Sequence, residues 1–147
     1  MAASAWRVYN EAKKYMLTAD LDLNATTLKV KLLAGTKSAA VSNYTRSTFA
    51  SLTHIVTNLK TAVKSVPSIL VTAGASAKEI KFDSTAMIFS ASGGTVTSIQ
   101  YAVIGISGGK VLAWCKLSTA VFSVTAGNTL TITPNASGIF TMTGGVT

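Results

Sequence analysis

The second half of the chain alternates apolar and polar residues in short runs. Eight such runs follow Pro67, from SILVTA at 68–73 to GIFTMT at 138–143, and turns of small residues such as SASGG and AGN separate them. A period of two is typical of β-strands, and short strands at this spacing favour a sandwich or a jelly roll.

One earlier segment has the same period. In LKVKLLAG, Leu28, Val30 and Leu32 share one side of an extended chain, whereas Lys29 and Lys31 share the other. We therefore expect a ninth strand that buries its leucines and valine and shows its lysines to solvent.

The first eighteen residues have helical spacing instead. Ser4 is a suitable N-cap, and apolar residues including Trp6, Tyr9 and Met16 recur at intervals of three and four up to Leu17. The spacing predicts a short amphipathic helix with one apolar face.

These elements predict a single domain over 1–147. We expect a mainly β fold, an antiparallel β-sandwich or jelly-roll-like structure over 19–147 preceded by a short N-terminal α-helix within 1–18. Positions 36–64 have loop composition with a weak helical pattern over 46–59, and they predict a long excursion from the sheets.

Charge is distributed unevenly along the chain. The net charge is +8, from 13 basic and 5 acidic residues, and 16 of these 18 lie at or before Asp83. The bases are scattered, with Lys13 and Lys14 the only adjacent pair, which argues against a nucleic-acid partner. We expect the charge-depleted C-terminal half to face other protein chains.

Hydropathy and cysteine content indicate the compartment. No apolar run is long enough to cross a membrane, and the N-terminus lacks the apolar core of a secretory signal, so we expect no membrane partner and synthesis in the cytoplasm. The single cysteine, Cys115, excludes an internal disulfide framework.

Candidate catalytic residues are few. His54 is the only histidine, and the possible nucleophiles Ser51 and Cys115 stand in no recognisable catalytic motif. We therefore expect no enzymatic activity and no cofactor.

One stretch partly matches a calcium-binding loop. Asp20, Asp22 and Asn24 are two residues apart, as in the opening of such a loop. The match fails at Ala25, where glycine is needed, and at Lys31, where a glutamate should bind the ion. We expect no metal site here.

Aromatic residues leave a carbohydrate-binding module as an alternative. Such a module stacks sugars on exposed rings. The candidates in this chain, of which most are expected to lie in the core or an interface, are Trp6, Trp114, Tyr9, Tyr15, Tyr44 and Tyr101.

Three stretches together resemble a group of small structural proteins of tailed bacteriophages. They are YNEAKKYMLTADLDLNATTLKVKLLAG at 9–35, IQYAVIG at 99–105 and NASGIFTMT at 135–143. Thr133 and Pro134 depart from the group's pattern, which often has a tryptophan before the asparagine. The resemblance implies a virion component on the capsid surface, a head decoration (cement) protein whose partner is the major capsid protein. A tail or fibre role is the alternative within virions.

This interpretation nominates residues for contact with the shell and with other copies of the chain. A homotrimer would cover much of the uncharged half. The candidates are Trp6, Tyr9 and Met16 for helix docking, Lys29 and Lys31 for contact with an acidic surface, and Ile139, Phe140 and Met142 for the terminal strand.

Overall fold

A computed structural model describes residues 4–18, 23, 28–43 and 48–143. The predictions made for Asp20, Asp22, Asn24 and Tyr44 fall outside these ranges.

The described chain contains eleven strands and two short α-helices. In chain order they are β1 (Arg7–Val8), α1 (Asn10–Leu17), β2 (Leu28–Ala34), α2 (Ser38–Val41), β3 (Val63–Ser65), β4 (Leu70–Ala73), β5 (Glu79–Asp83), β6 (Met87–Ser90), β7 (Val96–Ile106), β8 (Val111–Lys116), β9 (Phe122–Val124), β10 (Thr129–Ile132) and β11 (Phe140–Thr143). A 3₁₀ turn, Gly35–Lys37, joins β2 to α2.

The strands form three antiparallel sheets. The main sheet has the order β1-β8-β7-β2-β3, with β9 also paired to β7; the others are β10-β6 and β11-β5-β4. The Lys64 ammonium donates to the Ile88 carbonyl at 2.7 Å and links β3 to β6. The mainly β, antiparallel, sandwich-like fold with one short N-terminal helix is therefore confirmed, as are all nine strands that the sequence predicts.

The core lies around the middle strands of the main sheet. Val103 and Ile104 of β7 point to opposite faces of the sheet, and both are fully buried. Other segments of the chain therefore pack on each side of this sheet. Gly105 makes one of these contacts possible: a Cβ at this position would lie 2.6 Å from the Phe49 ring.

The exposed position predicted for Lys31 is wrong. Only 2% of this residue is accessible, since Phe49 covers its side of β2. The Lys31 ammonium lies 4.0 Å from the centre of the Phe49 ring and donates to the Phe49 carbonyl. Burial lowers the pKa of Lys31 to about 8, because the charged form loses hydration.

The helix begins later than predicted. Ser4 is not its N-cap; the Ser4 hydroxyl accepts a hydrogen bond from the Lys116 amide at 2.9 Å, and the chain continues as β1 along the edge of β8. Tyr9 occupies the N-cap position, and its amide donates to the Leu112 carbonyl at 3.1 Å. Pairing with β8 therefore overrides the helical spacing in the first turn.

The excursion predicted for 36–64 carries short elements at its start and end. After α2, the described part from Thr48 to Leu59 contains turns, bends and two isolated β-bridges but no helix, so the helix suggested for 46–59 is wrong there. Two backbone hydrogen bonds hold this part on the main sheet, from Phe49 to the Gly109 carbonyl at 2.8 Å and from Ile55 to the Leu32 carbonyl at 2.9 Å.

Candidate functional site: an apolar surface beside the N-terminal helix

The sheet of β11, β5 and β4 is amphipathic. Its register pairs Phe82 with both Val71 and Phe140, and Ile80 with both Ala73 and Met142. Directly paired residues share a face, as do residues two apart on one strand. One face is therefore entirely apolar, and we call it the apolar sheet face: Val71, Ala73, Ile80, Phe82, Phe140 and Met142.

One end of the apolar sheet face is open to solvent. Phe82 is buried and stacks on Phe140, with ring centres 5.1 Å apart. At the other end the exposed fractions are 54% for Ile80 and 47% for Met142, and Val71, which pairs directly with Phe82 at the sheet edge, is 52% exposed. Neighbouring apolar side chains exposed in this way are typical of interaction surfaces.

The opposite face of the same sheet is mostly polar, with Leu70 as its one apolar residue. Lys81 and Asp83 form an ion pair on it at 3.1 Å. Nearby, the Glu79 carboxylate accepts a hydrogen bond from the Ala75 amide at 3.0 Å. These charged groups have ion-pair or hydrogen-bond partners and remain partly hydrated. The apolar sheet face differs, because it exposes apolar side chains to water.

A groove of about 440 Å³ runs between α1 and β11. Most of its lining is apolar, and Leu17, which is 85% exposed, stands at its side. We call it the α1–β11 groove, and its lining residues are Val8, Lys13, Met16, Leu17, Phe140, Thr141, Met142 and Thr143.

The groove follows the edge of β11. All four consecutive residues of this strand line it, from Phe140 to Thr143. Since successive side chains of a strand point to opposite faces, a groove that touches all four must run beside the backbone. Within the described chain β11 pairs with β5 alone, so the backbone groups on its other side face this groove.

Three of the residues nominated from the sequence meet at this place. Met16 lines the groove from α1, and Phe140 and Met142 line it from β11 while belonging to the apolar sheet face. The groove and the face are therefore one continuous surface. Trp6 is partly buried against the core, and Lys29 donates to the Ser65 hydroxyl at 2.9 Å within the main sheet.

Two further nominees lie in the core. Tyr9 is fully buried, and its hydroxyl donates to the Val41 carbonyl at 2.8 Å. Ile139 is 2% exposed, and its amide donates to the Phe82 carbonyl at 2.9 Å. Together with Lys31, these residues stabilise the chain's own fold and present no docking side chain.

Sequence reasoning missed other parts of the surface. Leu17, Val71 and Ile80 were not nominated, although the alternation in EIKFD had already separated Ile80 from its charged neighbours. That pattern identified an apolar face, but it did not show that no layer of the described chain covers the face at Ile80.

The three residues considered for catalysis have different environments. Burial raises the pKa of the Cys115 thiol to about 12, so it is protonated at neutral pH. Burial, and second the positive charge of Lys31, lower the pKa of His54. The Ser51 hydroxyl donates to the Thr48 carbonyl at 2.9 Å.

The aromatic residues considered for sugar binding are mostly buried. Trp114 and Tyr101 are 6% and 4% exposed and contact each other edge to face. The Arg7 guanidinium lies 5.6 Å from the centre of the Trp114 ring. Tyr15 carries the Lys110 ammonium 4.0 Å above its ring. The Arg7–Trp114 and Lys110–Tyr15 contacts hold the N-terminal segment against the main sheet.

Neither a metal-binding cluster nor a membrane-spanning helix is found in the described residues. They contain no group of three or more histidine, cysteine, aspartate or glutamate side chains placed to bind a metal ion. None of the helices in the described ranges combines the length and apolar character needed to cross a membrane.

Comparison with known protein families, curated proteins and solved structures finds no match to this chain. The three stretches at 9–35, 99–105 and 135–143 have described parts that are close in space. The strand of the first, β2, pairs with β7, which contains the second. The helix of the first, α1, and the third, which contains β11, line the two sides of the α1–β11 groove.

Proposed function

We propose that this chain is a structural protein of a tailed bacteriophage virion that decorates the head by binding the outside of the assembled capsid. The observation that carries the proposal is the open part of the apolar sheet face, where Val71, Ile80 and Met142 are each about half exposed. Burial of this surface against a partner would release water from apolar area at no cost in charge desolvation.

The charge distribution supports an acidic partner. With a net charge of +8, the chain is attracted to a negatively charged surface, and such attraction speeds encounter and orients docking. The major capsid protein is the partner implied by the resemblance. A molecule that binds only the assembled shell stabilises that shell by mass action, without any chemical step.

We also propose that the decorating unit is a homotrimer. Capsid lattices present local symmetry axes, and a closed oligomer about such an axis repeats weak contacts. Exposed hydroxyl-bearing residues of the C-terminal half, such as Thr129, Thr131 and Thr133, offer contacts between copies that bury no charge.

The proposal is tested by fractionating virions from bacteria that carry this sequence. We expect mass spectrometry to find the chain in the head fraction, in copy number comparable with that of the major capsid protein. Recovery with tails alone would replace the head role with a tail role, and absence from both fractions would contradict a virion function.

A further inference from the structure

We propose that the α1–β11 groove binds an extended acidic segment of another protein, which adds a strand to the edge of β11 that no described strand occupies. Strand addition in this groove differs from the contact proposed for the apolar sheet face, which would be a flat contact between side chains. It does not require that the partner be a phage shell, so it can be tested apart from the proposed function.

The backbone geometry specifies an extended occupant. The groove runs beside Phe140–Thr143 along the side of β11 that β5 does not use. Unpaired amides and carbonyls at a strand edge form a template for another strand, which supplies the same hydrogen bonds as a neighbour in the sheet. A helix or a rounded ligand would leave these groups unmatched.

The side chains lining the groove specify apolar residues in that occupant. Met16 and Leu17 form one wall, and Phe140 and Met142 belong to the other. In an added strand, alternate side chains point to the same face, so every second residue would contact these walls. Methionine side chains adapt to apolar groups of different shape.

The charge of the groove favours an acidic segment. Lys13 lines it and is exposed, and none of the described lining residues is acidic. A second copy of this chain is a poorer match, because β5, the one described strand that carries acidic residues, already lies between β11 and β4. Electrostatic complementarity therefore selects an acidic partner of a different kind.

The test measures binding of a labelled short peptide of alternating valine and glutamate to the full chain, by fluorescence anisotropy. We expect saturable binding that weakens as salt is raised. A peptide with the same side chains but with alternate backbone amides methylated should bind at least about tenfold more weakly, because strand addition needs those donors. Failure of the first peptide to bind, or equal binding of both, would overturn the proposal.

Matched variants locate the site. Lys13→Glu should weaken binding about tenfold, whereas Lys14→Glu should change it less than about twofold, because only Lys13 lines the groove. Leu17→Ser should also weaken binding, and Val121→Ser, another exposed apolar residue outside the groove, should not. All four positions are exposed, so the fold should be retained. Equal effects within either pair would place the peptide elsewhere and refute the assignment.

Three other outcomes separate the competing explanations. Self-association that Leu17→Ser abolishes, together with no peptide binding, would make a second copy the occupant and overturn the acidic partner. If the chain binds phage heads but no peptide, the groove proposal fails and the proposed function stands. If it binds the peptide but no virion component, the groove proposal stands and the proposed function fails.

Discussion

Strands β2 and β5 have similar sequence patterns and opposite environments. Both alternate lysine with apolar residues, as LKVKLLA and EIKFD. In β2 the lysine at the centre, Lys31, is 2% exposed, whereas in β5 the apolar Ile80 is 54% exposed. Alternation thus identifies which residues share a face, but the layers that pack on each face decide which face is buried.

The difference arises from the segments that cover each sheet. In the main sheet, the chain around Phe49 crosses the face that carries Lys31, and it provides both a ring and a carbonyl for the ammonium. In the sheet of β4, β5 and β11, the described chain covers Phe82 and leaves Ile80 open. We infer that the main sheet stabilises the fold and that the open face serves contact with other molecules.

The largest expected effect compares one substitution in the two regions. Ile104→Ala should lower the free energy of unfolding by about 2–5 kcal/mol, because the residue is fully buried and its removal leaves a cavity. Ile80→Ala, on the open face, should lower it by less than about 1 kcal/mol. Urea denaturation of both variants measures the difference, and similar losses would contradict the comparison.

A second prediction concerns the close packing above β7. Gly105→Ala would place a methyl group 2.6 Å from the Phe49 ring and 2.7 Å from the Lys110 carbonyl. We expect a loss of about 1–3 kcal/mol in the free energy of unfolding. Gly109→Ala is the comparison and should cost less, since its Cβ would approach the Ile106 side chain at 3.2 Å and no backbone atom closer than 3.7 Å. An unchanged denaturation midpoint for Gly105→Ala would show that the covering segment is not held at this place.

The third prediction concerns the pH dependence that Lys31 contributes. Its pKa is about 8 in the fold and about 10.5 in the unfolded chain, so between these values the unfolded state binds more protons. The contribution of Lys31 to the free energy of unfolding should therefore rise with pH across this window, by about 1–2 kcal/mol up to pH 10.

Lys31→Met removes this titration and should flatten the rise. Lys29→Met is the matched control, since Lys29 lies on the same strand face and is partly exposed. Urea denaturation at several pH values between 8 and 10 gives the slopes. A rise that persists unchanged in Lys31→Met would show that the ammonium is not buried.

The sequence predicted much more of the fold than of the surface. Eight strands after Pro67 and strand β2 follow from alternation and turn residues alone. The short strands β1 and β3 were missed, because two or three residues show no period and form only where β8 and β2 supply partners.

The sequence predicted only part of the candidate surface, again because local patterns do not show which segments pack together. Met16, Phe140 and Met142 were nominated as apolar residues on amphipathic elements, and the fold brings them together. Tyr9 and Ile139 have the same character in sequence, but they lie under other parts of the chain. Exposure depends on contacts between distant segments, which a local pattern does not encode.

The smallest expected effect on stability belongs to the open face, and it provides the most direct test of the account. Val71→Ser combined with Ile80→Ser should change the free energy of unfolding by less than about 1 kcal/mol. Binding of this variant to phage heads stripped of accessory proteins should be measured by cosedimentation beside wild type. The control combines Val56→Ser with Val121→Ser, at equally exposed sites away from this face. We predict that the wild type and the control bind and the face variant does not; equal binding of all three proteins would contradict docking through the apolar sheet face.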